Sequence, residues 1–140
     1  MSTARKQLSD RILVDALSSP VDLNAVDWHV RQLNPSAPPA EVQNETLDLI
    51  RYVVNEGLFR LGHEVVGRRR PGDGGGPVHR FIAWRHPLEH SLHHISHYYV
   101  RHYDDPESWM YAAYLQLTAD GEQLARSLER EGVESYRQFE

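Results

Sequence analysis

Apolar residues recur at helical spacing in LSDRILVDAL, residues 8–17, where Leu8, Ile12, Leu13, Ala16 and Leu17 share one side before Ser18-Ser19-Pro20 ends the run. A second amphipathic run follows. Leu23, Val26, Val30 and Leu33 repeat every three or four residues, Asp22 occupies an N-cap position, Val21 stands where a hydrophobic staple would, and Asn34-Pro35 closes the segment. The prolines at 35, 38 and 39 fix extended or first-turn geometry and supply no amide hydrogen, so they form a linker or a helix entry. Beyond them EVQNETLDLIRYVVNEG places Val42, Leu47, Ile50, Val53 and Val54 on a broad apolar side, with Gly57 as the C-terminal cap of a third helix.

At Leu58 the period falls to two. Phe59, Leu61, His63 and Val65 point one way and Arg60, Gly62 and Glu64 the other, which predicts a strand. GRRRPGDGGGPVHR, residues 67–80, holds too much glycine and proline for regular structure, and FIAW follows as a strand-like run, so the pair reads as a hairpin with a long tip. Pro87 then opens a helix whose inward stripe is Leu88, Leu92, Ile95 and Tyr99, and Asp104-Asp105-Pro106 stops it. WMYAAYLQL alternates Tyr111, Ala113, Leu115 and Leu117 as a further strand, after which Thr118 caps a last helix with Leu124, Ala125 and Leu128 inward. Trp84, Tyr99 and Tyr111 are expected in the core, Tyr98 and Trp109 at the surface as aromatic anchors. The fold class is therefore α+β, a helical bundle packed on a small antiparallel sheet. Residues 1–140 form one domain, with 1–7 and 133–140 peripheral.

Composition narrows the function classes. A chain of 140 residues without cysteine has neither thiol nucleophiles nor cysteine-ligated metal nor disulfides, and at this length it can bury roughly 68–70% of its unfolded surface without them. The N-terminal MSTARKQLSDRI lacks the apolar core of a signal peptide, and no run approaches the ~18 apolar residues of a membrane span. A cytoplasmic protein with no membrane contact is the expectation, and Asn44-Glu45-Thr46 is then a chance glycosylation triplet. The net charge of -5 does not favour polyanion binding.

Two pieces of the chain carry a resemblance. Asn55-Glu56-Gly57-Leu58-Phe59-Arg60, closing a helix and opening a strand, resembles the helix-to-wing junction of winged-helix proteins. The segment LQLTADGEQLA, residues 115–125, resembles their last strand leading into the closing helix. Physically, Thr118 would cap that helix and Gly121 would let its first turn approach the sheet. The likeness covers most of residues 8–130 and makes residues 85–108 an inserted His-rich helix. The chain also resembles small uncharacterised actinobacterial proteins at the same two motifs, a likeness that supplies no function. The winged-helix resemblance implies DNA binding, with the third helix in the major groove and the wing on the backbone. Here Arg68, Arg69, Arg70 and Arg80 in the wing candidate face one carboxylate, Asp73, and suit phosphate. The helix candidate has the wrong sign, with Glu41, Glu45, Asp48 and Glu56 against Arg51.

Catalytic patterns are missing: there is no GxSxG, HExxH, Walker lysine or GxGxxG opening a helix, and GDGGG reads as a loop tip. The carboxylate pairs Asp104-Asp105 and Asp22 with Asp27 sit where helices stop and start, which makes end-capping their expected role. Six of the nine histidines fall within residues 86–102. At ~100° per residue His90, His93, His94, His97 and Arg101 lie opposite the Leu88–Tyr99 stripe, on one exposed face. His90 with His94 and His93 with His97 are i,i+4 pairs able to chelate a divalent ion weakly, and Glu89 is a marginal third ligand, so no dedicated metal site or cofactor is expected. Imidazoles titrate near ~6.5 when unperturbed, so the same face is a candidate proton-responsive surface for an acidic partner. The expectation is a non-enzymatic protein-interaction or regulatory module, of the partner-inhibiting or immunity kind, with His90, His93, His94, His97, Tyr98, Arg101 and Trp109 as partner-facing residues. The alternative is a DNA-binding regulator using the Arg-rich wing, as monomer or homodimer, and the third reading is a metal-dependent enzyme.

Overall fold

The phase of the apolar residues decides which side of each helix turns inward. The computed structural model describes residues 3–67, 72 and 78–135. Helix α1 (Thr3–Asp15) buries Leu8, Ile12 and Leu13, and α2 (Leu23–Leu33) buries Leu23, Val26 and Val30 against it. Asp22 caps α2 by accepting from the Ala25 amide at 2.8 Å. α3 (Pro39–Asn55) turns Val42, Leu49, Ile50 and Val53 inward and leaves Leu47 and Val54 half-buried. It ends where Gly57 takes a φ of +74°, a left-handed conformation that only glycine adopts without strain. The Leu58 amide there reaches back to the Val53 carbonyl and the Gly57 amide to Val54, both at 3.0 Å, satisfying the helix end.

The sheet is antiparallel, in the order β1-β4-β2-β3, from β1 (Val21–Asp22), β2 (Phe59–Gly67), β3 (Val78–Ala83) and β4 (Tyr114–Leu117). Leu115 pairs with both Val21 and Leu61, so one buried leucine stands mid-sheet between strands from distant parts of the chain. The predicted hairpin is β2 with β3. Helix α4 (Leu88–Tyr99) follows β3 and packs on α3, and after β4 comes α5 (Ala119–Arg130), which packs on α1. Five helices thus cover a four-stranded antiparallel sheet among the described residues, an α+β arrangement. None of those helices is long and apolar enough to cross a membrane.

The structure departs from the sequence expectations in several places. Val21, directly before the Asp22 cap, also belongs to a strand, because Leu115 offers it a pairing partner that the local pattern does not show. The strand expected across residues 109–117 occupies only the last four, and a short 3-10 turn (Pro106–Ser108) precedes it. Tyr111 consequently escapes the alternation and is 59% exposed, whereas Trp109 is buried. Leu124 is exposed because α5 packs through the smaller Gly121 and Ala125 with Leu128. Val65 is exposed too, in the outer half of β2, which pairs with β3 alone.

Candidate functional site

Asp27 is an interior residue of α2, 1% exposed, and its carboxylate takes three side-chain hydrogen bonds. Its Oδ1 accepts from the Tyr99 hydroxyl at 2.6 Å and the Tyr103 hydroxyl at 2.9 Å, and its Oδ2 from Arg31 Nε at 2.7 Å. Being buried and triply hydrogen-bonded, Asp27 acts as a structural anchor for the end of α4 rather than as the helix-start carboxylate its spacing suggested. Trp109 completes the joint: its ring meets Tyr99 at 4.8 Å and stacks on Tyr103 at 5.5 Å, while Nε1 donates to the Tyr103 carbonyl at 3.1 Å. Trp109 is therefore withdrawn from the partner-facing set, because its large ring gains more by filling this joint than by standing in water. A second buried pair, Asp15 and His29, meets at 2.7 Å with 1% and 0% exposure, out of reach of any substrate.

Burial, and then the Asp27 charge, hold the Tyr99 and Tyr103 phenols above the usual range, Tyr103 at about 12. Tyr114 is pushed up to about 12, first by burial and then by Glu64 and Asp22. A raised phenol pKa favours the neutral form in the fold, so this stabilisation is complete below pH ~10 and is lost as pH rises towards 12. An ultraviolet tyrosinate titration should show Tyr99, Tyr103 and Tyr114 ionising late, together with alkaline unfolding, and Tyr103→Phe should remove one late step. Seven tyrosines titrating in a single transition near pH ~10 would contradict the buried assignments.

The other end of α4 is tied to α3. Arg51 grips Glu89 through Nε at 3.0 Å and Nη2 at 3.1 Å, and its Nη1 reaches Asp48 at 2.8 Å. The two hydrogen bonds that Arg51 donates to Glu89 hold the Glu89 carboxyl below its usual range and raise the Arg51 guanidinium. Glu89 is thus an ion-pair partner across the helices rather than a ligand on the histidine face. Arg5 of α1 binds Glu45 at 2.9 and 3.0 Å, so much of the acidity of α3 is used to tie helices together.

Between these two ties the strands and α4 enclose a hollow of about 430 Å³. β2 contributes His63, the chain leaving β3 contributes Trp84 and His86, and α4 contributes His90, Ser91 and His94. The Trp84 amide bonds to the Leu61 carbonyl at 2.9 Å, continuing the edge of the sheet, and its indole Nε1 donates to His63 Nδ1 at 2.8 Å. With Nδ1 accepting, His63 carries its proton on Nε2. His94 stands edge-on to Trp84 at 5.8 Å, and His86 lies against His90 at 4.6 Å. A second hollow of about 350 Å³ shares His94 and Ala112 with the first and adds Tyr98, Tyr111 and Glu107. The two form one groove beside α4.

His90, His93, His94 and His97 are all exposed, and they divide by position. His90 and His94 wall the groove, while His93 and His97 do not line it. Tyr98 packs against His94 at 5.3 Å and His97 at 5.1 Å, and Arg101 lies exposed beyond the helix end. Sequence reasoning missed His63, His86 and Tyr111 and placed Trp84 in the core. They come from separate elements whose convergence leaves no periodic trace. Arg80 is exposed on the edge strand β3, and Arg68, Arg69 and Arg70 lie outside the described residues. Among the described residues no three histidine, aspartate or glutamate side chains gather closely enough to hold a metal ion; the i,i+4 histidine pairs supply two ligands each. No protein-family model, curated protein or solved structure matches the chain.

Proposed function

We propose that this chain is a non-enzymatic binding module, winged-helix-like in build, that presents the groove beside α4 to a protein partner. The observation that carries the reading is the groove itself: half-buried and exposed aromatic rings, Trp84, Tyr98 and Tyr111, line a cleft whose helix is anchored at both ends. Amphipathic rings held on a rigid element lose little entropy when a partner covers them. The winged-helix reading draws support from two hydrogen bonds made by Thr118. The two motifs that carry the resemblance form a single joint, in which the Thr118 hydroxyl donates to the Gly57 carbonyl at 2.6 Å and the Thr118 amide to the Leu58 carbonyl at 3.0 Å.

The DNA-binding alternative rests on Arg80 and the neighbouring arginines at 68–70. Against it, α3 offers a groove-reading surface rich in carboxylates, and its Arg51 is already occupied by Glu89 and Asp48. A regulator of the partner-inhibiting kind fits these features better, and inserting α4 between β3 and β4 is what creates its binding surface.

Tyr98→Ala combined with Tyr111→Ala tests the reading, since both side chains are exposed and their loss leaves the core intact. Capture from native extract should yield a stoichiometric protein partner with the wild-type chain, and the double variant should weaken that complex ~30-fold, as loss of a ~2 kcal/mol hot spot does. Retention of the partner by the double variant would place the interface elsewhere. Tight binding of duplex DNA at low salt, with a salt slope reduced by Arg68→Ala and Arg69→Ala, would replace the proposal with the DNA reading.

A further inference from the structure

We infer that the histidine-walled hollow is an acceptor site for a carboxylate carried by an acidic peptide segment, which names the chemistry of the partner and rests on the protein-binding reading above. The argument starts from what lines the hollow. His63, His86, His90 and His94 surround Trp84 with Ser91, and the lining contains no aspartate, glutamate, lysine or arginine. This is notable in a chain of net charge -5. Two carboxylates of neighbouring elements are paired elsewhere, Glu89 with Arg51 and Glu64 with His79 at 2.7 Å, and Glu107 lines only the adjoining hollow. A negative group entering this hollow therefore meets no like charge in its walls, and Glu107 confines the acid to this end of the groove.

It does meet hydrogen-bond donors. The indole N–H of Trp84 is spent on His63 Nδ1, which leaves the His63 Nε2 proton to be donated. His86, His90 and His94 each carry at least one N–H in any tautomer, and Ser91 adds a hydroxyl. A cation would find imidazole lone pairs and no carboxylate to offset its desolvation. A phosphoryl dianion would find none of the arginines that normally hold it bidentately. A single carboxylate, which accepts from several neutral N–H groups, matches the set.

The shape favours a chain rather than a small molecule. The hollow opens sideways into the second one across the shared His94 and Ala112. From His90 to Tyr98 the helix advances ~12 Å at 1.5 Å per residue, about the reach of four extended residues. An Asp or Glu side chain seated beside Trp84 would thus leave its neighbours lying over Tyr98 and Tyr111. The occupant is an extended acidic segment with aromatic or aliphatic flanks.

Selection of a random heptapeptide library on the immobilised full chain, with counter-selection on the His90→Ala, His94→Ala variant, which removes both imidazole donors, tests this directly. Both substituted residues are exposed, so the variant is expected to keep the fold, to be checked by circular dichroism. Enriched sequences should share an Asp or Glu beside an aromatic or aliphatic residue. Replacing that acid by its amide should weaken binding at least tenfold, and the double histidine variant should lose a similar factor. Enrichment of basic or uncharged sequences, indifference of the acidic peptides to either change, or no enrichment overturns the inference. The protein-binding reading survives those outcomes if the Tyr98 and Tyr111 variants still release a captured partner, so the two failures are distinguishable.

Discussion

Asp27→Ala is expected to lower the unfolding free energy by about 3 kcal/mol, from two orphaned donors at ~1–3 kcal/mol each. Removing the carboxylate strands the Tyr99 hydroxyl, which belongs to a residue with 0% exposure, and the half-buried Tyr103 hydroxyl beside it. Arg31 contributes less to the loss, because its side chain is 45% exposed and can rehydrate. Urea denaturation of the wild type, Asp27→Ala and Asp27→Asn separates the terms. The asparagine keeps an acceptor oxygen for the tyrosines and should cost about half as much. Tyr99→Phe in the Asp27→Ala background should recover stability by removing one stranded hydroxyl. A loss below ~1 kcal/mol for Asp27→Ala would mean that the cluster does not anchor α4. Because α4 walls the groove, the same substitution should also weaken partner binding, although Asp27 does not line either hollow.

Gly121→Ala should destabilise by about 3 kcal/mol, at the upper end of ordinary overpacking. A Cβ at Gly121 would run into the carbonyl oxygen of Leu58 and come within 3.1 Å of Leu117 Cδ2. The carbonyl cannot swing aside, since it already accepts from the Thr118 amide at 3.0 Å and lies where α3 passes into β2. Relief therefore requires the first turn of α5 to lift away from the sheet, at the expense of Ala125 and Leu128, both buried. Thr118→Ala is the useful comparison: it removes the cap on Gly121 and the bond to Gly57, a loss of ~1 kcal/mol for a typical cap. Thermal or urea denaturation should rank Gly121→Ala as the more damaging. Equal stability of Gly121→Ala and wild type would show that the closing helix does not need its close approach to Leu58.

Both substitutions bear on the candidate site through the framework, and they differ in how visible they were in the chain. Gly121 was legible because LTADG places a cap and a small residue at the opening of a helix, and the close approach follows from that local pattern. Asp27 was not. A carboxylate inside an amphipathic helix reads as solvent-facing or as a start signal, and only the tyrosines more than seventy residues away make it a buried anchor. The histidines of α4 show the same division. Phasing against Leu92, Ile95 and Tyr99 correctly turns His90, His93, His94 and His97 outward. It does not separate the two that share a groove with Trp84 and His63 from the two that do not, because that depends on where β2 and β3 lie.

Sequence by itself determined the helices, most of their inward faces, the caps at Asp22 and Thr118, the glycine stop at Gly57 and the hairpin. Each is a local matter: a period of 3.6 or two, or a side chain satisfying a backbone group within a few residues, is written in consecutive positions. Tertiary structure alone decided that Val21 pairs with Leu115, that Trp109 is buried and Tyr111 exposed, and that His63, Trp84, His86, His90 and His94 form one hollow. Those outcomes depend on which surfaces meet when separate elements pack. The free energy of such meetings lies in area removed from water and in hydrogen bonds across long stretches of chain, for which no local pattern provides a signal.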